Sequence, residues 1–334
     1  MSRRPRTLGQ RLRRLALAVV AVLVGLVLLG VVYQEVGQAL DRRALAPPGR
    51  MVAVDGAMLH LHCMGAGGPT VILEAGAYGF AQVWAWVQPR LAERRRVCAY
   101  DRAGLGWSED AAGHDGVAAA ARLRALMATA GEPGPYVLVG HSLGGALIRI
   151  FAERHPEDVI GLGFIEPTHP DQLERLPPEA HAAHARATRA LRILPVLAHV
   201  GFMRLSNALG QLNTGLPDDD YRAARMFSSA PGHLRATHAE MSAWDATMAA
   251  ARENHSLGER PIVVVGATEP LAGMSAEVFA VNERMNAELA TLSTRGRYVT
   301  IAGSDHMSVL TAREHAERVV ELLEATISAA TAPQ

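Results

Sequence analysis

Polar residues are almost absent from the chain between Leu15 and Tyr33, and no polar face interrupts the run. As a helix, that stretch is about long enough to cross a hydrocarbon core. Residues 34–50 are charged and contain Pro47 and Pro48, which fits a linker. Beyond it, short apolar runs alternate with longer amphipathic ones. Residues 51–54 and 58–64 flank the turn signal Asp55-Gly56 and read as a hairpin. Residues 71–74, 97–100, 136–140, 161–165, 261–266 and 298–301 read as further strands. Helices are expected over residues 81–92, 117–130, 143–154, 276–292 and 312–327. This alternation predicts an α/β fold with a mostly parallel, doubly wound sheet and helices on both faces. Residues 168–259 break the rhythm. They hold no strand pattern and carry apolar helical runs punctuated by prolines, so they are expected to form a helical lid over the sheet.

Charge adds one feature to this outline. Lys+Arg and Asp+Glu balance at 33 each, which gives no reason to expect nucleic acid as a partner. Locally, however, Arg3, Arg4, Arg6, Arg11, Arg13 and Arg14 directly precede the apolar run. Such an arrangement keeps the N-terminus cytoplasmic and exports the chain beyond the apolar run. A cleaved signal peptide is the competing reading, but the apolar core exceeds the usual length, and the nearest Ala-x-Ala, Ala44 to Ala46, lies far downstream before Pro47. The expected organisation is a basic cytoplasmic tail (1–14), a single transmembrane anchor (15–33), a linker (34–50) and an extracytoplasmic α/β domain (51–330).

The chemistry centres on Gly140-His141-Ser142-Leu143-Gly144, a G-x-S-x-G pattern. It follows the apolar strand Tyr136-Val137-Leu138-Val139 and opens a predicted helix, which is the context that gives this short pattern meaning. Glycines on either side relieve crowding at a strained strand-to-helix turn, and the turn lifts the Ser142 hydroxyl to a helix N-terminus. There the amide of Leu143 can face a developing oxyanion.

With this elbow in view, the chain from about residue 50 to 329 resembles the α/β-hydrolase superfamily. Tyr100-Asp101-Arg102-Ala103-Gly104-Leu105-Gly106-Trp107-Ser108 is similar to its "YDRRGxGxS" loop, and Ala75-Gly76-Ala77 with Trp84 is similar to its "HGxxxxxxxW" loop, with Ala75 where histidine is usual. The resemblance implies an eight-stranded sheet and makes the amide of Ala77 the second oxyanion donor. It also implies that His306, in Ser304-Asp305-His306-Met307 after the last predicted strand, is the base, although Asp305 replaces the glycine usual before that histidine. Two acids remain open. Glu269 stands three residues past Gly266, at the end of the seventh strand, where most members place their acid. Glu166 ends the sixth strand, where haloalkane dehalogenases place theirs. The stretch from Phe164 to Gln172 is also similar to "LVDxxHPDQ" in a membrane-associated bacterial subgroup, and Glu166 is preferred on that ground. Asp101 and Arg102 are expected to form a mutual ion pair that supports their loop. His60, His62, His181, His184, His233 and His238 are read as structural or exposed.

These residues predict ester, lactone, thioester or amide hydrolysis through an acyl-enzyme on Ser142, with His306 as base and Glu166 or Glu269 as the orienting acid. Acyl transfer on the same residues, and a tethered binding module without catalysis, are the alternatives. No CxxC, HExxH, P-loop or GxGxxG pattern occurs, so no metal or other cofactor is implied. The expected partners are a small-molecule substrate and the membrane; the sequence leaves the oligomeric state open. Ile193, Leu194, Val196, Leu197, Val200, Phe202 and Met203 make the lid apolar, which fits either an acyl substrate or packing on the core. Cys63 and Cys98 fall on strands that are neighbours in the implied fold. Export would permit a disulfide, but two buried free thiols are expected, because cysteine often serves as a small core residue.

Overall fold

The structure is a computed structural model that describes residues 7–332. Arg3, Arg4 and Arg6 therefore lie outside the described residues.

The apolar run lies within one long helix, α1 (Leu8–Ala44), capped by Thr7, whose hydroxyl accepts the amide of Gln10. The expected linker is corrected here, because residues 34–44 continue the helix without a break. Gln, Glu, Ala, Leu and Arg dominate that stretch and favour helix, and the next proline after it is Pro47. This half of α1 also has something to dock on. Gln34 is buried, and its side-chain amide donates to the carbonyl of Ser229 at 2.8 Å.

Eight strands come next, in a single sheet: β1 (Arg50–Val54), β2 (Ala57–Met64), β3 (Thr70–Glu74), β4 (Val97–Tyr100), β5 (Tyr136–His141), β6 (Val159–Ile165), β7 (Ile262–Ala267) and β8 (Gly296–Ile301). Their spatial order is β1-β2-β4-β3-β5-β6-β7-β8. The β1–β2 and β2–β4 pairs are antiparallel, and every other pair is parallel. Parallel strands covered on both faces must be apolar throughout, and β3, β4, β5 and β7 are buried at every position. Successive side chains then supply opposite cores. Val71, Leu73, Val137, Val139, Val263 and Val265 enter one core cluster, and Ile72, Leu138, Leu162, Phe164 and Val264 enter the other. Each fully buried aliphatic or aromatic side chain contributes roughly 1.5–3 kcal/mol, so the two layers hold the sheet between them.

The helices that cover the sheet are α2 (Gln88–Ala92), α3 (Gly116–Ala130) and α4 (Leu143–Arg154), joined later by α12 (Ala276–Leu289), α13 (Ser308–Thr311) and α14 (Arg313–Thr331). The helix expected over residues 81–92 is instead a 3-10 turn, Ala81–Trp84, followed by the short α2. Trp84, fully buried, pins that turn against the core. Between β6 and β7 lies an all-helical insert of α5 (Gln172–Arg175), α6 (Pro178–Leu191), α7 (Leu194–His199), α8 (Phe202–Ser206), α9 (Asp218–Ser228), α10 (Pro231–Ser242) and α11 (Trp244–Arg252).

The free-thiol expectation is overturned, because Cys63 and Cys98 form a disulfide. They stand directly opposite each other in the antiparallel β2–β4 pair, where facing side chains come closest. A cross-link closing a 35-residue separation should stabilise the fold by about 4 kcal/mol through restriction of the unfolded chain. Urea unfolding of Cys63→Ala/Cys98→Ala, compared with the oxidised parent, should show a loss of that size. Equal midpoints would mean that the bond leaves the unfolded chain unrestricted.

Candidate active site

Order β4-β3-β5 places the crevice beyond the carboxyl ends of β3 and β5, where successive connections leave in opposite directions. Loops from β3, β5, β6, β7 and β8 all converge there. Ser142 occupies the turn from β5 into α4 with φ 53° and ψ −122°, a conformation strained for any residue with a side chain. Its neighbours permit the turn only because they lack side chains. A Cβ on Gly140 would fall 2.4 Å from the Gly144 carbonyl oxygen, and one on Gly144 would fall 2.4 Å from the Glu74 carbonyl oxygen. Main-chain bonds fix the turn: the Ser142 amide donates to the carbonyl of Ile165 at 3.1 Å, and the Ser142 carbonyl accepts the amides of Gly145 and Thr168, both at 2.9 Å.

Ser142 Oγ lies 3.1 Å from His306 Nε2, and His306 Nδ1 lies 3.2 Å from Glu166 Oε2. An ionised carboxylate can only accept, so Nδ1 carries the proton and Nε2 is left to accept the serine hydroxyl. Glu166 is held from its other oxygen, which accepts the amide of Ala267 at 2.7 Å and the side-chain amide of Asn286 at 3.2 Å. Glu269 is placed elsewhere. Its amide donates to the carbonyl of Ser304, and its exposed side chain stands at the rim of the crevice. Asp305 accepts the amides of Met307 and Ser308, both at 2.8 Å, and so caps the turn that presents His306. His141 donates from Nε2 to the carbonyl of His306 at 2.9 Å. Burial, with His306 adding to it, pushes the His141 pKa down to about 3, so this ring stays neutral and does not oppose a charge on its neighbour.

Leu143 is the first residue of α4, and its N–H has no acceptor within the helix. Ala77 shares the crevice wall with Ser142, and Gly76 lies so close that a Cβ there would meet Ser142 Cβ at 2.9 Å. The loop carrying Ala77 is held by Arg102. That guanidinium donates to the carbonyls of Ala75 and Gly76 at 2.7 and 2.8 Å, to Glu74 at 2.7 Å and to Glu240 at 2.6 and 3.0 Å. The expected Asp101–Arg102 pair is thereby corrected. Asp101 instead bonds His60 Nδ1 at 2.9 Å and the amides of Ala81 and Trp107 at 2.8 and 2.9 Å. Burial raises the Glu74 carboxyl pKa against the pull of Arg102, and Tyr100 donates its hydroxyl to that carboxylate. His233 adds a second tie from the insert. It accepts the amide of Gly106 at Nδ1 and donates from Nε2 to the carbonyl of Tyr78, each at 3.1 Å. His233 and Glu240 are two turns apart on α10 and so share one helix face. Sequence reasoning missed Asn286 and Glu240 and gave His233 no task. An acid ending the apolar run Val71-Ile72-Leu73-Glu74 was the one available signal for a buried ion pair.

Two cavities meet at Ser142 and His306. One, about 280 Å³, has a mixed wall, in which Gln172, His184, Glu269, Asn282 and Glu283 stand beside Met241, Trp244, Leu271 and Phe279. The other, about 290 Å³, is apolar, with Val83, Leu209, Leu212, Leu234 and Leu310. A larger open depression of about 800 Å³ lies at the opposite end of β5, beside Tyr136, and holds no serine or cysteine in its wall. His155, Glu157 and Asp158 stand close enough to share an ion, but Arg124 already pairs with both acids.

The profile of the alpha/beta hydrolase fold matches residues 69–312. The chain belongs to the α/β-hydrolase family. It is 39% identical over 114 residues to 2-hydroxy-6-oxo-2,4-heptadienoate hydrolase of Pseudomonas putida, a match covering 33% of this chain and 41% of that one. It is 30% identical over 154 residues to an uncharacterized protein of Schizosaccharomyces pombe, covering 37% of this chain and 29% of that one. The chain thus spans less than half the length of either relative. A solved structure of a putative ancestral haloalkane dehalogenase superposes with a TM-score of 0.66 at 18% identity, over 85% of this chain and 100% of the other, which is a likeness of fold.

The clasp around this α/β-hydrolase site has two measurable consequences. Arg102→Ala leaves Glu74 and Glu240 buried without their cation and should cost about 3–5 kcal/mol in urea unfolding; a loss under about 1 kcal/mol would show the cluster to be dispensable. His233 titrates near 4 because burial disfavours its charged form, whereas the unfolded ring titrates near 6.5. Between those values the unfolded chain binds more protons. The His233 contribution is therefore complete above about pH 6.5 and is lost as pH falls toward 4, with a slope of up to about 1.4 kcal/mol per unit. In His233→Gln, stability measured across pH 4.5–6.5 should be flatter by about that amount, and an unchanged slope would contradict the assignment.

Proposed function

We propose that this α/β-hydrolase is a serine hydrolase tethered to a membrane by α1, acting on an ester, lactone, thioester or amide with an apolar acyl part. The observation that carries the reading is the unbroken line from Ser142 Oγ through both nitrogens of His306 to Glu166. Ser142 attacks the carbonyl carbon while His306 Nε2 takes its proton, and Glu166 favours the imidazolium that results. The carbonyl electrons move onto oxygen, which the N–H groups of Leu143 and Ala77 receive. Collapse breaks the bond to the leaving group, which departs with the proton from His306. Water then repeats the sequence on the acyl-enzyme and releases the acid. The apolar cavity suits the acyl chain, and the mixed one, which offers polar side chains beside apolar ones, suits the leaving group.

The tether rests on α1, which is long and apolar enough to cross a membrane. Arg11, Arg13 and Arg14 precede its apolar stretch and favour a cytoplasmic N-terminus. A disulfide on the catalytic domain fits the oxidising side that this orientation gives it.

A fluorophosphonate probe should label the full chain, and Ser142→Ala should abolish labelling. Persistent labelling in that variant would remove Ser142 as nucleophile. Glu166→Gln should lower turnover of a p-nitrophenyl ester by about 10³–10⁴, whereas Glu269→Gln should leave it within about twofold. The reverse pattern would transfer the acid's role to Glu269. Product formed only when an alcohol or amine is added would assign acyl transfer instead.

A further inference from the structure

The exposed large apolar side chains among the described residues are not scattered. Apart from those on α1, all fall within the insert between Ile193 and Leu212: Ile193, Val196, Phe202, Leu205 and Leu212. Leu194, Leu197 and Met203 on the same segment turn inward and pack with Ala198 and Leu234. The segment is therefore two-faced. Its inner face packs on the insert, and nothing among the described residues covers its outer one. Isolated exposed leucines are ordinary, but a contiguous apolar surface marks a contact.

The position of α1 says what that contact is. Residues 8–29 of α1 are exposed throughout, and the first close approach to the rest of the chain comes at Gly30. There a Cβ would fall 2.2 Å from the Val200 carbonyl oxygen, and a Cβ on Gly201 would fall 2.7 Å from the Gly30 carbonyl oxygen. These glycines let the corner between α7 and α8 press directly on α1. One and three turns further on, Arg204 hydrogen-bonds Gln34 at 3.1 Å and forms an ion pair with Asp41 at 2.7 Å, locking the corner to the helix. The uncharged stretch from Leu15 to Tyr33 measures about 28 Å as a helix, and a hydrocarbon core is about 30 Å thick, so all of it is needed to cross. Its last turn, Gly30 to Tyr33, is the turn on which Val200 and Gly201 rest. The α7–α8 corner thus shares the depth of the membrane's outer edge. Tyr33 lies beside Gly201, where an interfacial aromatic belongs.

We infer that the α7–α8 corner of the lid is seated in the outer leaflet of the bilayer that α1 crosses, and that the apolar cavity beside Ser142 draws a lipid-borne acyl substrate from that leaflet past Leu212. Leu212 connects the two surfaces, because it is exposed and also lines the apolar cavity. The inference rests on the reading of α1 as a membrane span and on Ser142 as nucleophile, and it adds the route and the physical source of the substrate. A water-soluble ester reaches the site without that route.

Both native cysteines are engaged in the disulfide, so an introduced cysteine provides a single site for a nitrobenzoxadiazole label. The full chain carries Leu23→Cys, Leu205→Cys or Glu317→Cys and is reconstituted into phosphatidylcholine–phosphatidylglycerol vesicles containing doxyl lipids. Labels at 23 and 205 should be quenched, and the label at 317, on the exposed face of α14, should not. Quenching at 23 without quenching at 205 overturns the inference and leaves the anchor standing. Absence of quenching at 23 removes the anchor, and the inference with it. In Val196→Glu/Leu205→Glu, hydrolysis of a long-chain ester held in the vesicles should fall roughly tenfold or more, while turnover of p-nitrophenyl acetate should stay within about twofold. Equal loss on both substrates, or loss on neither, contradicts access from the leaflet. If the double variant fails to fold, the quenching series on the single-cysteine chains decides alone.

Discussion

Arg102 is the fixed point around which the site is built. A guanidinium cannot shed its charge, so burying one requires that every N–H find an acceptor and that an anion lie close. Two carbonyls and two carboxylates meet that demand, and each comes from an element that borders the crevice at Ser142. Glu74 ends the strand beside the one that carries Ser142. Ala75 and Gly76 begin the loop that carries Ala77. Glu240 belongs to α10 in the insert. One charge therefore orients the loop, sets its distance from Ser142 and fastens the lid to the sheet. His233, on the same face of α10, repeats the connection through the carbonyl of Tyr78 and the amide of Gly106.

The coupling extends outward from this clasp. The insert is joined to the sheet loops by α10 on its inner side, and to α1 by the α7–α8 corner and by Ser229 at the end of α9. Both joints combine a buried or half-buried arginine with close main-chain packing. A lid attached at both ends in this way has a set orientation with respect to any bilayer that α1 crosses. Leu212 links the apolar cavity to the exposed side of the insert, and the contact of Gly30 with Val200 links the insert to the apolar helix. The mixed cavity lies beside residues of α12.

Much of the fold and part of the site could be read in advance. The eight strands sit within a residue or two of their expected positions, because buried parallel strands must be apolar at successive positions and turns must supply glycine, proline or aspartate. Ser142 could be located because the strained turn restricts its neighbours to glycine. The resemblance to the α/β-hydrolases pointed to His306 by its place after the last strand, although its preceding residue departs from the usual pattern. Asp305 does there by side-chain capping what a flexible residue would do by conformation. Residues that act through long-range contact left no such trace. Asn286 is one asparagine on an amphipathic helix, and Glu240 is one glutamate among many, until the insert folds back over the sheet.

Local constraint is what the sequence by itself determined: strand, elbow and helix order, an apolar segment fit for a membrane, and the types of residue able to serve as nucleophile, base and acid. Each of these depends on periodicity or on backbone conformation, and both are properties of neighbours along the chain. Tertiary structure alone decided which glutamate approaches His306, that Cys63 faces Cys98 closely enough to bond, that Arg102 turns away from Asp101, and that residues 34–44 extend the helix onto the lid. Those outcomes depend on distances between segments far apart in the chain. A difference of a few ångströms there separates a bonded partner from a surface charge, because a hydrogen bond is lost beyond about 3.5 Å.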